Sequence, residues 1–236
     1  MLIIGIGNKA RQGKDMAAEA ALRFYLSRND TILEGGVYRS LNVQIFKFAT
    51  ALYQEVNAWL KPFNGVSNWT NATIIETRPL TNGYLGAQAT AQYYTALPKW
   101  VQPDPDPEVS ELAPYGKHPK LLQWWGTDYR RAQDPGYWTK KLFANIPSDT
   151  DIALITDVRF PNEFMGVKER HGYTVNVTRL NEDRSIYCAP DRPSDHVSET
   201  ALDTATWDFK LINQEGHQAL LKKQAVCLVE YLRGLK

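Results

Sequence analysis

A glycine and a lysine near the start of the chain carry the clearest chemical signal in the sequence. Gly13-Lys14 and the residues before it approach the pattern G-x-x-x-x-G-K-[ST], in which a loop between a strand and a helix wraps the phosphates of a nucleotide. Asn8 stands where this pattern has its first glycine, and Asp15 stands where it has a hydroxyl residue. The loop is therefore either a phosphate site with two altered positions or an ordinary turn with a solvated lysine.

The two altered positions differ in what they imply. Asparagine is among the residues that tolerate a positive φ, so Asn8 can take the place of a glycine at a sharp turn. Asp15 replaces a hydroxyl group that normally helps to hold magnesium, and its carboxylate can bind the ion directly or through water. Lys14 is the residue hardest to replace, because it brings a full positive charge to the β- and γ-phosphates.

A second set of polar residues follows a continuous apolar run. Residues 152–156, IALIT, predict a strand buried on both faces, and Asp157, Arg159 and Asn162 come soon after it. Ligands of open α/β sheets bind at the carboxyl ends of the strands, so this stretch is a candidate binding site. In the alternative interpretation, Asp157 caps the helix that follows and Arg159 pairs with Glu163.

A third stretch, residues 123–131 with the sequence QWWGTDYRR, combines aromatic rings, an amide and two guanidinium groups. Such a set suits a base and a phosphate, because arginine binds phosphate through two parallel hydrogen bonds. Alternatively, the tryptophans belong to the core and the arginines to the surface. Residues 180–200 have little apolar pattern and are predicted to form a mobile lid, which contains Arg184, Arg192, Asp195 and His196.

The elements that must position these residues alternate along the chain. Hydrophobic patterns predict buried strands at residues 2–4, 152–156 and 173–178. They predict helices at residues 16–26, 45–60, 138–142, 162–170 and 221–232, with Pro62 ending the second of these helices. Strands that alternate with helices predict an α/β fold, a three-layer α/β/α sandwich around a central parallel sheet.

The bulk composition describes an ordinary globular chain. Its 236 residues suffice for one domain with a sizeable core, and residues 61–117, rich in Asn, Thr, Gly and Pro, are expected to be an irregular insertion within it. The net charge of +1 argues against direct nucleic-acid binding. Two cysteines exclude a disulfide framework, and no segment is long enough for a membrane span or a signal peptide. These features predict a cytoplasmic protein.

Four stretches of the chain resemble the deoxynucleoside monophosphate kinases of tailed bacteriophages, which are members of the P-loop kinase superfamily. They are NKARQGKD, LLQWWGTDYRRAQDPGYW, ITDVRFPNEF, and the pair SDHVSETAL with FKLINQEGHQALLKK. Phe48-Ala49 with Leu52 also resembles the F-A-x-x-L element of that family. The resemblance covers most of the chain outside the insertion. Asn8 and Met16 depart from the family pattern, in which Asp15 is normal and a threonine occupies position 16.

The resemblance implies a P-loop nucleoside-triphosphate kinase fold and an ATP-dependent phosphotransferase. The implied reaction moves the γ-phosphoryl group of ATP to a deoxynucleoside monophosphate, giving the diphosphate and ADP. It assigns ATP to the loop residues Asn8, Lys9, Ala10, Arg11, Gln12, Gly13, Lys14, Asp15 and Met16. It assigns Mg²⁺ to Asp15 and Asp157, for Asp157 through the water shell of the ion.

The acceptor nucleotide carries its own negative charge, so the implied site needs a second set of cations. Arg131 and Arg159 are the first candidates, and together with Lys14 and Asp157 they form the expected catalytic set. The expected substrate-binding residues are Phe48, Gln123, Thr127, Asp128, Arg130, Arg131, Trp138, Arg159 and Arg192. No membrane partner is expected.

Several alternatives stay open at the level of the sequence. One is a related kinase with another acceptor, such as dephospho-coenzyme A, for which Asp157 would serve as the base. Another is a nucleotide-binding module that has lost its chemistry, as Asn8 and Met16 would allow. The base that is accepted, the preference for deoxy over ribo and a possible homodimer are also open. Aromatic residues of the insertion would suit either an interface or a lid: Trp69, Tyr84, Tyr93, Tyr94 and Trp100.

Overall fold

The computed structural model describes residues 1–28, 30–64, 122–189 and 197–235, with the backbone alone for residues 57–64. These residues belong to two compact units. The first unit comprises Met1–Phe48 and Thr139–Lys236, and the second comprises Ala49–Trp138. The prediction of a single domain stays a prediction, as does that of the insertion, of which all but residues 61–64 lie outside the described residues. Among the described residues, no helix combines the length and the apolarity that crossing a membrane requires.

Five parallel strands form the central sheet of the first unit. A separate two-stranded antiparallel hairpin lies between the first strand of this sheet and the next. In chain order the strands are β1 (Leu2–Gly7), the hairpin strands β2 (Thr31–Glu34) and β3 (Val37–Ser40), then β4 (Val43–Phe46), β5 (Ile152–Val158), β6 (Tyr173–Leu180) and β7 (Phe209–Gln214). The spatial order in the sheet is β4-β5-β1-β6-β7, and every neighbouring pair is parallel.

Helices connect these strands. They are α1 (Lys14–Arg28), α2 (Phe48–Asn64), a π-helix (Trp124–Arg131), α3 (Tyr137–Ala144), α4 (Pro161–Lys168), α5 (Val197–Thr200) and α6 (Gln218–Gly234). Pro161 opens α4, where its missing N–H costs nothing and its fixed φ suits the first turn. The predicted helices at 16–26, 138–142, 162–170 and 221–232 are all present, with ends that differ by a few residues.

The two faces of the sheet carry separate hydrophobic cores. Alternate side chains of β1 divide between them: Leu2, Ile4 and Ile6 join the core formed with α1 and α6, whereas Ile3 joins the core formed with α3 and α4. Because both faces are covered, β1 and the first four residues of β5 are apolar and buried, as in other parallel sheets. The prediction of an α/β fold with a parallel sheet between helices is confirmed.

The predicted helix at residues 45–60 is wrong at both ends. Ile45 lies in β4, and the helix begins at Phe48 and continues to Asn64, with Pro62 inside its last turn. The helical spacing misled because Ile45, in β4, lies three and four positions before Phe48 and Ala49, the first apolar residues of α2. A proline near the end of a helix removes only its own N–H hydrogen bond, so two further residues keep the helical path.

Candidate functional site

The loop between β1 and α1, residues 8–13, bends through three positions with positive φ. They are Asn8 at 93°, Arg11 at 55° and Gly13 at 103°. Asn8 thus adopts the sign of φ for which the phosphate-loop pattern normally uses glycine. A side chain at position 13 would place its Cβ 2.6 Å from Nδ2 of Asn213, so this position needs glycine for space as well as for conformation.

The loop lies at the carboxyl end of β1, at the point where the order of the strands along the chain reverses. From β1 the chain proceeds to β4 and β5 on one side, and from β6 it proceeds to β7 on the other. Loops that leave neighbouring strands in opposite directions open a crevice, and this crevice is where open α/β sheets bind ligands. Residues 8–13 therefore occupy the position at which this fold most readily holds a ligand.

Lys14 begins α1 and is almost completely buried, with 7% of its surface exposed. Its Nζ donates hydrogen bonds to two loop carbonyls, those of Asn8 at 3.1 Å and of Lys9. No carboxylate of the described residues lies within ion-pair distance of this Nζ. The pKa of Lys14 is lowered to about 7, mainly because of burial and to a lesser degree because of the charge of Arg159. The carboxylates of Glu199, Asp15 and Asp157 act in the opposite direction.

Gln12 connects the loop to β6, to the segment after β6 and to β7. Its side chain is 2% exposed, and Nε2 donates to the carbonyl of Tyr187 at 3.1 Å while Oε1 accepts the N–H of Arg179. The carbonyl of Gln12 accepts a hydrogen bond from Nδ2 of Asn213 at 2.8 Å. Because every polar atom of a buried amide needs a partner, these bonds hold the loop in one shape.

Glu199 is a buried carboxylate in α5 that the sequence analysis did not select. One oxygen accepts the N–H of Ala10 at 2.7 Å, and the other accepts a hydrogen bond from the guanidinium of Arg159 at 2.6 Å. Glu199 is separated from Ala10 by 189 positions in the chain, so no local pattern connects them. The stretch SDHVSETAL, which contains it, was noted only for its resemblance.

Asp157, near the end of β5, and the polar residues that follow it have partners that differ from those of the alternative interpretation, in which Asp157 caps the next helix and Arg159 pairs with Glu163. Asp157 accepts the N–H of Phe48 at 2.8 Å and so caps α2, not the helix that follows it. Glu163 accepts the backbone N–H groups of Arg159 at 2.8 Å and Phe160 at 3.1 Å, as in half of a capping box. The Arg159 side chain is therefore directed to Glu199.

Asp15 lies beside the loop with an ionised carboxylate. Its Oδ1 accepts hydrogen bonds from Thr156 at 2.8 Å and from Lys47 at 2.7 Å. Burial raises the pKa of this carboxyl, but the bonds from Lys47 and Thr156 outweigh burial and hold the pKa below its usual value. Met16 packs against the core between the sheet and helices α1 and α6.

A cavity of about 250 Å³ adjoins the loop on the sheet face opposite α1. Polar groups from the loop and from the last two strands line it, among them Asn8, Lys9, Asn176, Thr178 and Lys210. Lys9 forms an ion pair with Asp203 at 3.0 Å at the rim of this cavity.

The second unit contains an aromatic cluster around Glu55. This carboxylate accepts hydrogen bonds from Nε1 of Trp125 at 3.1 Å, from Nε of Arg130 at 2.9 Å and from the hydroxyl of Tyr137. The guanidinium of Arg130 also lies 5.0 Å from the ring centre of Tyr129.

The predicted substrate-binding residues of the second unit fall into two groups. Trp138 is 2% exposed and donates its Nε1 hydrogen to the carbonyl of Gly126 at 2.9 Å, so its burial is accounted for by packing. Trp124, which is partly exposed, stacks on Tyr129 with ring centres 5.4 Å apart. Gln123 and the π-helix residues Thr127, Asp128, Arg130 and Arg131 lie at least partly at the surface.

Two further predicted residues complete the inventory. Phe48 is a core residue of the first unit, 3% exposed and packed edge-on against Phe143. Arg192 lies outside the described residues. Within the described segments, no group of three or more His, Cys, Asp or Glu side chains forms a ready metal cage.

Comparisons with known proteins assign no family. No protein-family model matches the chain, and no curated protein matches it. The resemblance noted in the sequence therefore stays an expectation.

Proposed function

We propose that this protein is an ATP-dependent deoxynucleoside monophosphate kinase with a P-loop kinase fold. The observation that carries the proposal is the setting of Lys14. A buried ammonium group is held by two carbonyls of a positive-φ loop, at the start of a helix and at the carboxyl edge of a parallel sheet. Burying a cation without a paired carboxylate costs free energy, and a bound phosphate would supply the missing negative charge.

The start of α1 supplies the other half of a phosphate site. The first N–H groups of a helix have no partner within the helix, and the helix dipole adds a partial positive charge there. Within the described part of the chain, the N–H groups of Lys14, Asp15 and Met16 meet no hydrogen-bond acceptor. Such a set of donors beside a lysine binds the β- and γ-phosphates of ATP well.

Phosphoryl transfer between two anions needs cations on the acceptor side as well. Arg159 is the candidate in the first unit, since it lies close enough to Lys14 to depress its pKa. Arg131, at the end of the π-helix, is the candidate in the second unit. Transfer requires little covalent help from the protein beyond positioning the two phosphates and neutralising their charge.

Magnesium would bind between Asp15, Asp157 and the phosphates of ATP. Mg²⁺ keeps several waters and takes only one or two carboxylates in nucleotide sites, so the lack of a larger acidic cluster among the described residues is compatible with it. When bound, the ion neutralises charge on the transferred group. Asp15 is ionised at neutral pH and so suits this role.

The acceptor base would be recognised in the second unit. Trp124 and Tyr129 form a stacked pair of aromatic rings, and Gln123, an exposed residue with an amide side chain, directly precedes Trp124 in the chain. Rings and an amide together select a nucleobase by stacking and by hydrogen bonds to its edge. In a phage-encoded enzyme this activity would supply precursors for DNA synthesis in the cytoplasm of the host.

The test uses purified protein, ATP and Mg²⁺ in a coupled assay for ADP, with each deoxy- and ribonucleoside monophosphate and with dephospho-coenzyme A as acceptors in turn. We expect ADP formation that depends on at least one deoxynucleoside monophosphate. Arg131→Ala should lower that turnover by about 10³-fold without unfolding the protein. Binding of ATP without transfer to any acceptor would favour a module without catalysis, and transfer only to dephospho-coenzyme A would favour the related kinase.

A further inference from the structure

Glu199 contacts two parts of the phosphate site at once. We propose that it is a positioning residue that orients both cations of the first unit, Lys14 and Arg159. The inference rests on the proposed function and deepens it, because these cations are the groups assigned to the transferred and accepting phosphates.

The link from Glu199 to Lys14 passes through a single peptide group. In the peptide that joins Lys9 to Ala10, the N–H of Ala10 donates to Glu199 at 2.7 Å, and the carbonyl of Lys9 accepts a hydrogen bond from Nζ of Lys14. The N–H and C=O of a trans peptide point to opposite sides. Glu199 therefore holds the peptide with its oxygen directed at Lys14, and a rotated peptide would withdraw that oxygen.

The link from Glu199 to Arg159 is direct. One guanidinium nitrogen donates to Glu199 at 2.6 Å, and the backbone N–H of Arg159 is held by Glu163. A guanidinium has five N–H donors in a rigid plane, so one bond to Glu199 restricts its orientation and leaves donors for a phosphate. Orientation that is already present in the free protein does not have to be gained in the transition state.

The position of Glu199 is itself set by the core. The segment after α5 contributes Leu202 and Trp207 to the core on the α3 and α4 face of the sheet, with 7% and 8% of their surface exposed. The side chain of Glu199 is 7% exposed as well. A carboxylate anchored in this way acts as a fixed support for the loop.

Only a carboxylate of this length satisfies both contacts. Both oxygens of a glutamate accept hydrogen bonds, whereas glutamine has one acceptor and one NH₂ donor. In Glu199→Gln the NH₂ group would face either the N–H of Ala10 or the guanidinium of Arg159. Both are donors, so that hydrogen bond would be lost. Glu199→Asp keeps both oxygens but is one methylene shorter, so it should keep only one of the two contacts.

Asp208 provides a matched control at the other end of the sheet. It also binds one backbone N–H and one cation, those of Thr174 at 2.8 Å and Lys168 at 2.7 Å. Asp208→Asn therefore breaks the same kinds of bond without touching the loop. A purely structural role for Glu199 predicts that the two variants behave alike.

The first measurement is the kinetics of the full chain with the best acceptor. We expect Glu199→Gln to lower kcat by about 10²-fold, the usual effect of a misplaced catalytic group, with a smaller change in the KM for ATP. Glu199→Asp should recover part of the loss, and Asp208→Asn should retain the wild-type values. Equal kinetics in Glu199→Gln and Asp208→Asn would overturn the proposal.

The second measurement does not depend on transfer. Calorimetric titration with inorganic pyrophosphate should show weaker binding to Glu199→Gln than to the wild type by about tenfold, and the NMR signal of the Ala10 amide should shift. If pyrophosphate binding is weakened in this way but the wild type transfers no phosphoryl group, the kinase proposal is overturned and the role of Glu199 is retained. A wild type that binds no pyrophosphate would overturn both. If Glu199→Gln does not fold, the same measurements are made on Glu199→Asp. The proposal is overturned if the kinetics, the pyrophosphate affinity and the Ala10 amide signal of Glu199→Asp all equal those of the wild type.

Discussion

Cations at the two ends of the parallel strands differ in their partners. At the amino ends of the strands, here called the amino edge, Arg39 donates two parallel hydrogen bonds of 2.7 and 2.8 Å to Asp151. Lys168 at this edge donates to both oxygens of Asp208. At the carboxyl edge, Lys14 meets only carbonyl oxygens at hydrogen-bond distance. Arg39 and Lys168 are thus each paired with a carboxylate, whereas Lys14 would gain from an anion supplied from outside. Under the proposed function, the difference separates charges that stabilise the fold from a charge kept for a ligand.

The largest effect is expected at Lys14. Lys14→Met should lower ADP formation by about 10³-fold, because the variant lacks the charge that stabilises the transferred group. Its free energy of unfolding should equal or exceed that of the wild type, since the variant no longer buries a charge without a paired carboxylate. Urea unfolding and the coupled assay measure the two quantities separately.

The same pair of measurements can contradict this view of Lys14. A variant that unfolds more easily than the wild type and remains active would show that Lys14 stabilises the fold, as the amino-edge cations do. Circular dichroism should first establish that the variant is folded.

The next effect concerns the amino edge. Asp151→Asn should lower the free energy of unfolding, because it weakens the charged hydrogen bonds from Arg39 and the bond from the Asn42 N–H. Phosphoryl transfer by the folded variant should be unchanged. A loss of turnover equal to that of Lys14→Met would abolish the distinction between the two edges.

The stability contributed by Asp151 should depend on pH. Hydrogen bonds from Arg39 hold the pKa of Asp151 below its ordinary value in the folded protein. A lowered carboxyl pKa stabilises the fold above the unfolded pKa of about 3.9, and the contribution is lost as the pH falls through the folded value. The difference between wild type and Asp151→Asn in urea should be full at neutral pH and shrink in acid. A difference that is constant down to the acid limit would contradict the assignment.

The smallest effects concern two residues with positive φ, one at each edge. His171, in the turn before β6, has φ of 54°, and Asn8 has φ of 93°. His171→Gly should raise the free energy of unfolding by about 0.5–1 kcal/mol, since glycine carries no Cβ penalty in this region. In Asn8→Gly the same relief is offset by loss of the hydrogen bond to Asn176, so thermal unfolding should change little. Destabilisation by His171→Gly would show that its side chain makes a contact worth more than the strain.

The sequence predicted those parts of the fold that local patterns specify. The apolar run of β5, the proline that opens α4 and the spacing of apolar residues in α6 each identified an element correctly. The hairpin of β2 and β3 was missed although Gly35-Gly36, both with positive φ, connects its strands. The alternation in FKLINQ, which forms β7, was likewise overlooked.

The candidate site was predictable only in part, for a different physical reason. The loop motif is local, so Gly13 and Lys14 could be selected from spacing alone. Glu199 could not, because its importance arises from contacts with Ala10 and Arg159 that only the tertiary fold creates. The assignment of Trp138 to the substrate, which the resemblance implied, stays a prediction, and the burial of this side chain is accounted for by packing.

The side chains that hold the loop have a consequence for synthesis on the ribosome. Ala10 and Gln12 leave the exit tunnel long before their partners Glu199 and Asn213, which lie 189 and 201 positions later in the chain. Contacts that close so long a stretch of chain form late in folding. A nascent chain stalled before β7 should therefore fail to retain a nucleotide, and this ability should appear once Asn213 has left the tunnel.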